Sequence, residues 1–168
     1  MKIVKIIIQA FLLLMLVGCG GKNAKLITFN IGTLHGVDTG RAYKAAVMPF
    51  TGTRLILNTD LILYSGDIAN IHVAEQTINS GQKIEGFYFI LNERGTRKLT
   101  NATASNMGSY IVCSYNDTPI GLRIVDSVIT DGRLFVCSEF FDSKKSMHDL
   151  VEEMLEELGK VNEMKKDL

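Results

Sequence analysis

From Ala69 to Val161 the chain is a run of short β-rich segments tied by turns, with two segments of helical period among them. "ANIHVAEQ" alternates apolar and polar residues, whereas "GFYFILN" is almost continuously apolar, as in a strand covered on both faces. "NSGQK" separates them as a turn. "NERGTRKLTNATASNMG" predicts a helix: Asn92 caps it, Glu93 suits its first turn, and Gly108 lies just past its end. The apolar face of that helix is thin, mainly Leu99, Ala102 and Met107, so packing must hold it. "SYIVCSYNDTPIGLRIVDS" reads as two strands joined through Asn116 to Pro119. "ITDGRLFVCSEF" adds a turn at Asp131-Gly132 and another strand. Met147, Leu150, Val151, Met154, Leu155, Leu158 and Val161 recur at three- and four-residue steps. They predict an amphipathic helix reaching Gly159, with Ser146 and Asp149 as a capping pair. Hairpin strands with interspersed helices predict an α+β fold, an antiparallel sheet with helices packed on one face.

Upstream, "TRLILN" and "LILYS" are β-rich runs broken at Asn58-Thr59-Asp60. Residues 26–52 are irregular: "LITFNI" has strand character, but glycines and Pro49 interrupt the stretch after it. The expected organisation is an irregular segment at 26–52, one domain at 53–158 and a charged, fraying tail at 159–168.

The N-terminus carries different information. Lys2 and Lys5 precede a run from Ile6 to Val17 in which only Gln9 and Ala10 interrupt the large apolar side chains. A charged start followed by about a dozen apolar residues matches a secretory signal and falls short of the ~20 needed to span a bilayer. Leu16-Val17-Gly18-Cys19 resembles the lipobox of bacterial lipoproteins. That resemblance implies a signal at 1–18, diacylglycerol on the Cys19 sulfur, acylation of its new α-amine, and a lipidated tether at 19–25. Two or more acyl chains anchor stably where one does not. Gly20 follows the cysteine where an aspartate usually signals inner-membrane retention. The expected location is therefore the cell envelope, in the periplasmic leaflet of an outer membrane where the organism has one.

Removing residues 1–18 from the 168 leaves 150, enough for one domain. The 18 basic residues less Lys2 and Lys5 leave 16 against 18 acidic, with no basic cluster, which argues against a nucleic-acid partner. Cys113 and Cys137 remain. In a secreted chain an even number favours a disulfide, whose loop would contribute roughly 3 kcal/mol by chain entropy. The alternative is two buried thiols.

No residue pattern announces chemistry. His35, His72 and His148 lack a second ligand at metal spacing, so neither a metal nor a cofactor is expected. "GTLHGVDTGR" has Arg41 where a phosphate-binding loop would place lysine, and no serine sits in G-x-S-x-G. Asp60, Asp67, Asp126 and Asp131 flank strands, where acids usually form turns.

The segment "GFYFILNERGTRKLTNATASNMGSYIVCSYNDTPIGLRIVDSVITDGRLFVCSEF" resembles the head subdomain of the first periplasmic domain of SecD and SecDF. The resemblance rests on Phe87 to Leu91, Glu93 to Gly95, Leu99-Thr100, Asn106 to Gly108, Pro119, Gly132 and Phe140, and covers residues 53–158. It departs from the family in having no membrane spans after the signal and in placing Pro119 early in its strand. It implies a detached, non-enzymatic head that binds a polypeptide or an envelope partner. A structural lipoprotein, self-assembling through Phe140-Phe141 and the last helix, is the alternative. A small hydrolase using His72 or His35 is the least favoured reading. Tyr88, Arg123 and Glu139 are the positions at which the sequence suggests probing for a partner.

Overall fold

The structure, a computed structural model, describes residues 25–77, 81–140, 142 and 145–166. Eight strands form one antiparallel sheet: β1 (Ile27–Thr33), β2 (Tyr43–Val47), β3 (Arg54–Tyr64), β4 (Ile68–Thr77), β5 (Lys83–Leu91), β6 (Tyr110–Tyr115), β7 (Thr118–Ile124) and β8 (Arg133–Ser138). Their order is β2-β3-β1-β6-β7-β8-β5-β4. Helices α1 (Glu93–Ser105) and α2 (Met147–Lys166) complete an α+β architecture. From β4 onward the elements follow the order read from the sequence.

β3 and β4 are joined by a single 3-10 turn, Ser65–Asp67, yet stand second and last in the sheet. In a flat sheet six strand spacings would separate them by about 29 Å, while three intervening residues reach at most about 14 Å. The sheet is therefore strongly curled, and its β3–β4 corner touches both helices.

Three expectations are corrected here. Residues 26–52 are not mainly irregular: β1 and β2 both belong to the sheet, and β1 sits inside it between β3 and β6. The strand character of "LITFNI" carries on through Gly32, where a Cβ would lie 2.8 Å from Leu57 Cδ2. The Asn58-Thr59-Asp60 interruption is no break either. β3 runs through it, and the turn signal appears as register shifts against β1, with Asn30 Nδ2 donating to Asn58 O at 2.8 Å. Finally, α2 continues past Gly159 to Lys166, held by Val161, which is buried.

The helix-covered face carries the main core. Phe29, Phe87, Phe89, Ile71, Ile111, Leu134 and Val136 come from the strands, Leu99 from α1, and Leu150, Met154 and Leu158 from α2. Asn92 caps α1 by accepting from Gly95 N at 2.9 Å. The thin apolar face of α1 is supplemented by hydroxyls. Thr100 Oγ1 donates to Ile129 O at 2.9 Å, and Thr103 Oγ1 accepts from Ile129 N at 3.1 Å.

Lys25 fixes where the chain enters the domain. Its ammonium lies 2.5 Å from Glu153 Oε1 on α2, which also accepts from Tyr115 OH at 2.9 Å, while Lys145 bonds the other carboxylate oxygen. The bonds from Lys145 and then Lys25 lower the Glu153 pKa to about 2. A depressed carboxyl contributes stability that is complete above its unfolded value near 4.5 and is lost as pH falls toward 2. Urea unfolding of the wild type is expected to lose about 1–2 kcal/mol across that window from this group, after allowing for its solvent contact. Glu153→Gln should be correspondingly less stable at pH 6 and flatter between pH 4.5 and 2; an unchanged slope would refute the clamp.

Candidate functional site

The sheet's second face is covered only in part. The β2–β3 connection folds over it, burying Met48 against Leu55 and Val112. One carboxylate holds that connection down: Glu139, itself 2% exposed, accepts from Phe50 N at 3.1 Å, Thr51 N at 2.9 Å and Thr51 Oγ1 at 2.9 Å. Phe50 stands at the tip, 69% exposed. Glu139→Ala leaves those donors without their acceptor, so about 1–3 kcal/mol of stability should be lost. Limited proteolysis should then nick the chain near Phe50 faster than in the wild type; equal rates would show that the carboxylate does not hold the loop.

Beyond this flap no described residue covers the face. Cavities of about 560 and 500 Å³ share Gln76, Arg123 and Phe135, and a third of about 550 Å³ beside Phe50 shares Cys137 with the second. Shared walls make them one groove across β8. Its floor is Phe135, which can lie across β5 because residue 86 is glycine. A Cβ there would run into the Val136 carbonyl oxygen and lie 2.7 Å from Phe135 Cζ.

The groove follows a split in the sheet. β7 pairs with β6 as far as Ile124, and β8 pairs with β5 from Arg133, yet β7 and β8 pair with each other only at Gly121–Ser138 and Leu122–Cys137. Beyond that point they separate, because the connecting segment goes to α1. Val125 and Ile129 are buried in the core, and the threonine bonds of α1 grip Ile129. By register Arg123 stands opposite Ile111, a core-face position, but its guanidinium lies in the split, with Nη1 3.5 Å from Phe135 O and Nη2 3.5 Å from Asp126 Oδ1.

Five acids line the groove: Glu75, Glu85, Asp126, Asp131 and Glu139. Glu75 pairs with Lys83 at 2.8 Å, Asp126 Oδ1 accepts from Ser127 Oγ at 3.0 Å, and Asp131 Oδ1 accepts from Arg133 N at 3.0 Å. The Arg133 guanidinium, also lining the groove, has no ion-pair partner among the described residues.

Cys19 lies outside the described residues. Cys113 and Cys137 are free thiols, which corrects the favoured disulfide. They stand on β6 and β8 with β7 between, two spacings or about 10 Å apart, beyond the ~7 Å a bridge can span. Their side chains also lie on opposite faces: Cys113 in the main core, Cys137 on the groove. Burial raises the pKa of both thiols. His72 is exposed on β4 and stacks on Tyr88, ring centroids 4.9 Å apart, at the groove rim. His35 lies in the exposed β1–β2 connection. Neither histidine lines any of these three cavities, and among the described residues no group of metal-binding side chains occurs.

Of the positions suggested for probing, Tyr88 and Arg123 line the groove, and Glu139 lines its third cavity but is almost wholly buried beneath the flap. Phe135 and Arg133 were not singled out in the sequence. Their signal, an aromatic and a cation two apart on one strand face, is common to many strands. α2 uses its apolar side chains on its own core, so the face proposed for self-assembly is occupied; Leu155 remains exposed, and Phe141 lies outside the described residues.

No protein family and no curated protein matches this chain. Solved structures do. SecDF, a membrane component that enhances protein export, superposes with a TM-score of 0.51 at 13% identity, over 80% of this chain and 62% of the matched one. The fold is SecDF-like. A second structure, SecDF in a super-membrane-facing form, gives the same TM-score at 12% identity, over 80% of this chain and 18% of that one. The chain thus spans less than two-thirds of either SecDF chain, and the likeness concerns a domain. Among the described residues no helix is long and apolar enough to cross a membrane.

Proposed function

We propose that this chain is a non-enzymatic, lipid-anchored protein of the cell envelope that holds a polypeptide or protein partner on the open face of its sheet. The observation that carries this reading is the groove: a sheet face left bare beside a tied-down flap, with an aromatic floor and splayed strands. Splayed strands suit an extended chain, which binds by main-chain pairing with few specific side chains. The SecDF-like fold supports it by analogy with a component that enhances protein export.

The signal-like run and the lipobox-like Leu16-Val17-Gly18-Cys19 support the anchor, in the periplasmic leaflet of an outer membrane where one exists. Lys25 is pinned to α2, so the tether would leave from the face opposite the groove. Residues 19–24 reach at most about 20 Å, which would hold the domain close to the bilayer with its groove turned away.

Photoreactive residues at Gln76 and Val128, both lining the groove, test the reading in cells. Polypeptides should be captured there and not from a control position at Glu156 on α2; capture no greater than the control would refute it. An intact mass showing an unmodified Cys19 thiol would remove the anchor while leaving the groove reading standing.

A further inference from the structure

β2 ends the sheet, with β3 on one side and no strand on the other among the described residues. Its hydrogen bonds alternate. Thr59 N donates to Ala42 O and Met48 N to Thr53 O, so the even-numbered residues of β2 turn their peptide groups to β3. Tyr43, Ala45 and Val47 therefore direct theirs outward, along an edge where another strand could pair. The strand itself does little to prevent that: Lys44 is its single charge, and the side chains of Tyr43 and Val47 are exposed.

The residues just before β2 close this edge from within. The Asp38 carboxylate accepts from Ala45 N at 3.0 Å through Oδ2 and from Gly40 N at 2.7 Å through Oδ1. Tyr43 O accepts from Thr39 N and Gly40 N, both at 3.1 Å. One outward N–H and one outward carbonyl are thus spent inside the chain. Asp38 is exposed, so these bonds and not burial hold it against the strand.

The two spent groups are the ones a second copy would need. Two β2 strands meeting antiparallel about a twofold axis overlap fully when Ala45 lies opposite the second copy's Ala45. Tyr43 then faces Val47 and Lys44 faces Ala46, so the exposed apolar side chains meet and no like charges oppose. β2 is in this sense complementary to itself. The register asks each Ala45 N–H to donate to the other Ala45 carbonyl, and each Tyr43 carbonyl to accept from the other Val47 N–H. Asp38 holds the first of these groups; Thr39 and Gly40 hold the second.

We propose that Asp38 is a guard on the edge of β2: its carboxylate blocks pairing with β2 of a second copy, and withdrawing it lets two sheets join edge to edge. The device does not depend on the groove and goes beyond the polypeptide-binding reading.

Amide hydrogen exchange on the purified full chain in mild detergent, at low protein concentration, reads the guard directly. The Ala45 N–H should exchange at least about tenfold more slowly in the wild type than in Asp38→Ala, the factor that one lost hydrogen bond supplies. Asp38→Asn should fall between the two, because its amide oxygen can serve one of the two N–H groups but not both. A photoreactive residue at Tyr43 then reports the pairing in cells. In the Asp38→Ala background it should capture a second copy at Val47, at least about tenfold more than with Asp38 present. Adding Val47→Pro, which removes an outward donor without breaking a bond to β3, should return capture to the wild-type level. Equal Ala45 exchange in wild type and Asp38→Ala would overturn the proposal, as would equal capture of the second copy with and without Asp38. Capture of a different protein at Tyr43 in place of a second copy would also overturn it. None of these results bears on capture at Gln76 or Val128, so the general function stands or falls separately.

Discussion

Phe89→Ala is expected to destabilise the protein by about 3–5 kcal/mol, the range for emptying a fully packed aromatic site. Phe89 has no solvent exposure and lies edge-on to Phe29, ring centroids 5.0 Å apart, with Phe87 at 6.5 Å. Its strand neighbours Ile71 and Leu134 belong to the same core, on β4 and β8. The cavity would therefore be walled by elements fixed in the sheet ladder, which cannot collapse into it cheaply. Urea midpoints measured beside Phe50→Ala provide the contrast, because Phe50 is exposed at the flap tip and its loss should cost under about 0.5 kcal/mol. A Phe89→Ala cost below about 1 kcal/mol would mean that β5 is not the centre of the core.

Asp67→Ala is expected to cost about 3 kcal/mol, and it tests the corner that lets the sheet curl. Asp67 is wholly buried; Oδ1 accepts from Arg94 Nε at 2.7 Å, and Oδ2 from Lys98 Nζ at 2.9 Å and Tyr64 N at 3.2 Å. Its own carbonyl accepts from Asn92 N at 3.0 Å. One residue thus ties the β3–β4 corner to the start of α1. Gly95 shows how tight that junction is: an added Cβ would run into the Asp67 carbonyl oxygen and lie 3.0 Å from Asp67 Cβ. Breaking a buried pair from one side typically costs about 3–5 kcal/mol, and the low end applies because both cations are partly exposed and can turn to water. Asp67→Asn, which keeps an acceptor for Tyr64 N, should cost roughly half as much. Denaturation curves of the two variants should be ordered in that way; a wild-type-like Asp67→Ala would show that the corner is held by packing alone.

Asp67 also marks how far sequence reasoning reaches. An acid next to a strand reads as a turn former, and Asp67 does sit in a turn. What makes it an anchor is the arrival of Arg94 and Lys98 from a helix 27 and 31 residues away. The disulfide expectation failed for a related reason. Two cysteines in a secreted chain are a sound prior for pairing, but whether a strand lies between them is a matter of topology.

The local alphabet of this protein was legible in its sequence: the strands from β4 to β8, the Asn92 cap, the turn joining β6 to β7 at Asn116-Asp117 and the apolar seam of α2. Each depends on side-chain period, capping or backbone preference within a few residues, and on nothing farther along the chain. Tertiary structure decided the rest. β1 is a strand because β3 and β6 flank it, and the flap is a flap because Glu139 reaches it from 88 and 89 residues away. The split that forms the groove exists because α1 draws the β7–β8 connection out of the sheet. These features depend on pairing and burial between distant segments, and those energies are set only when the chain has closed on itself.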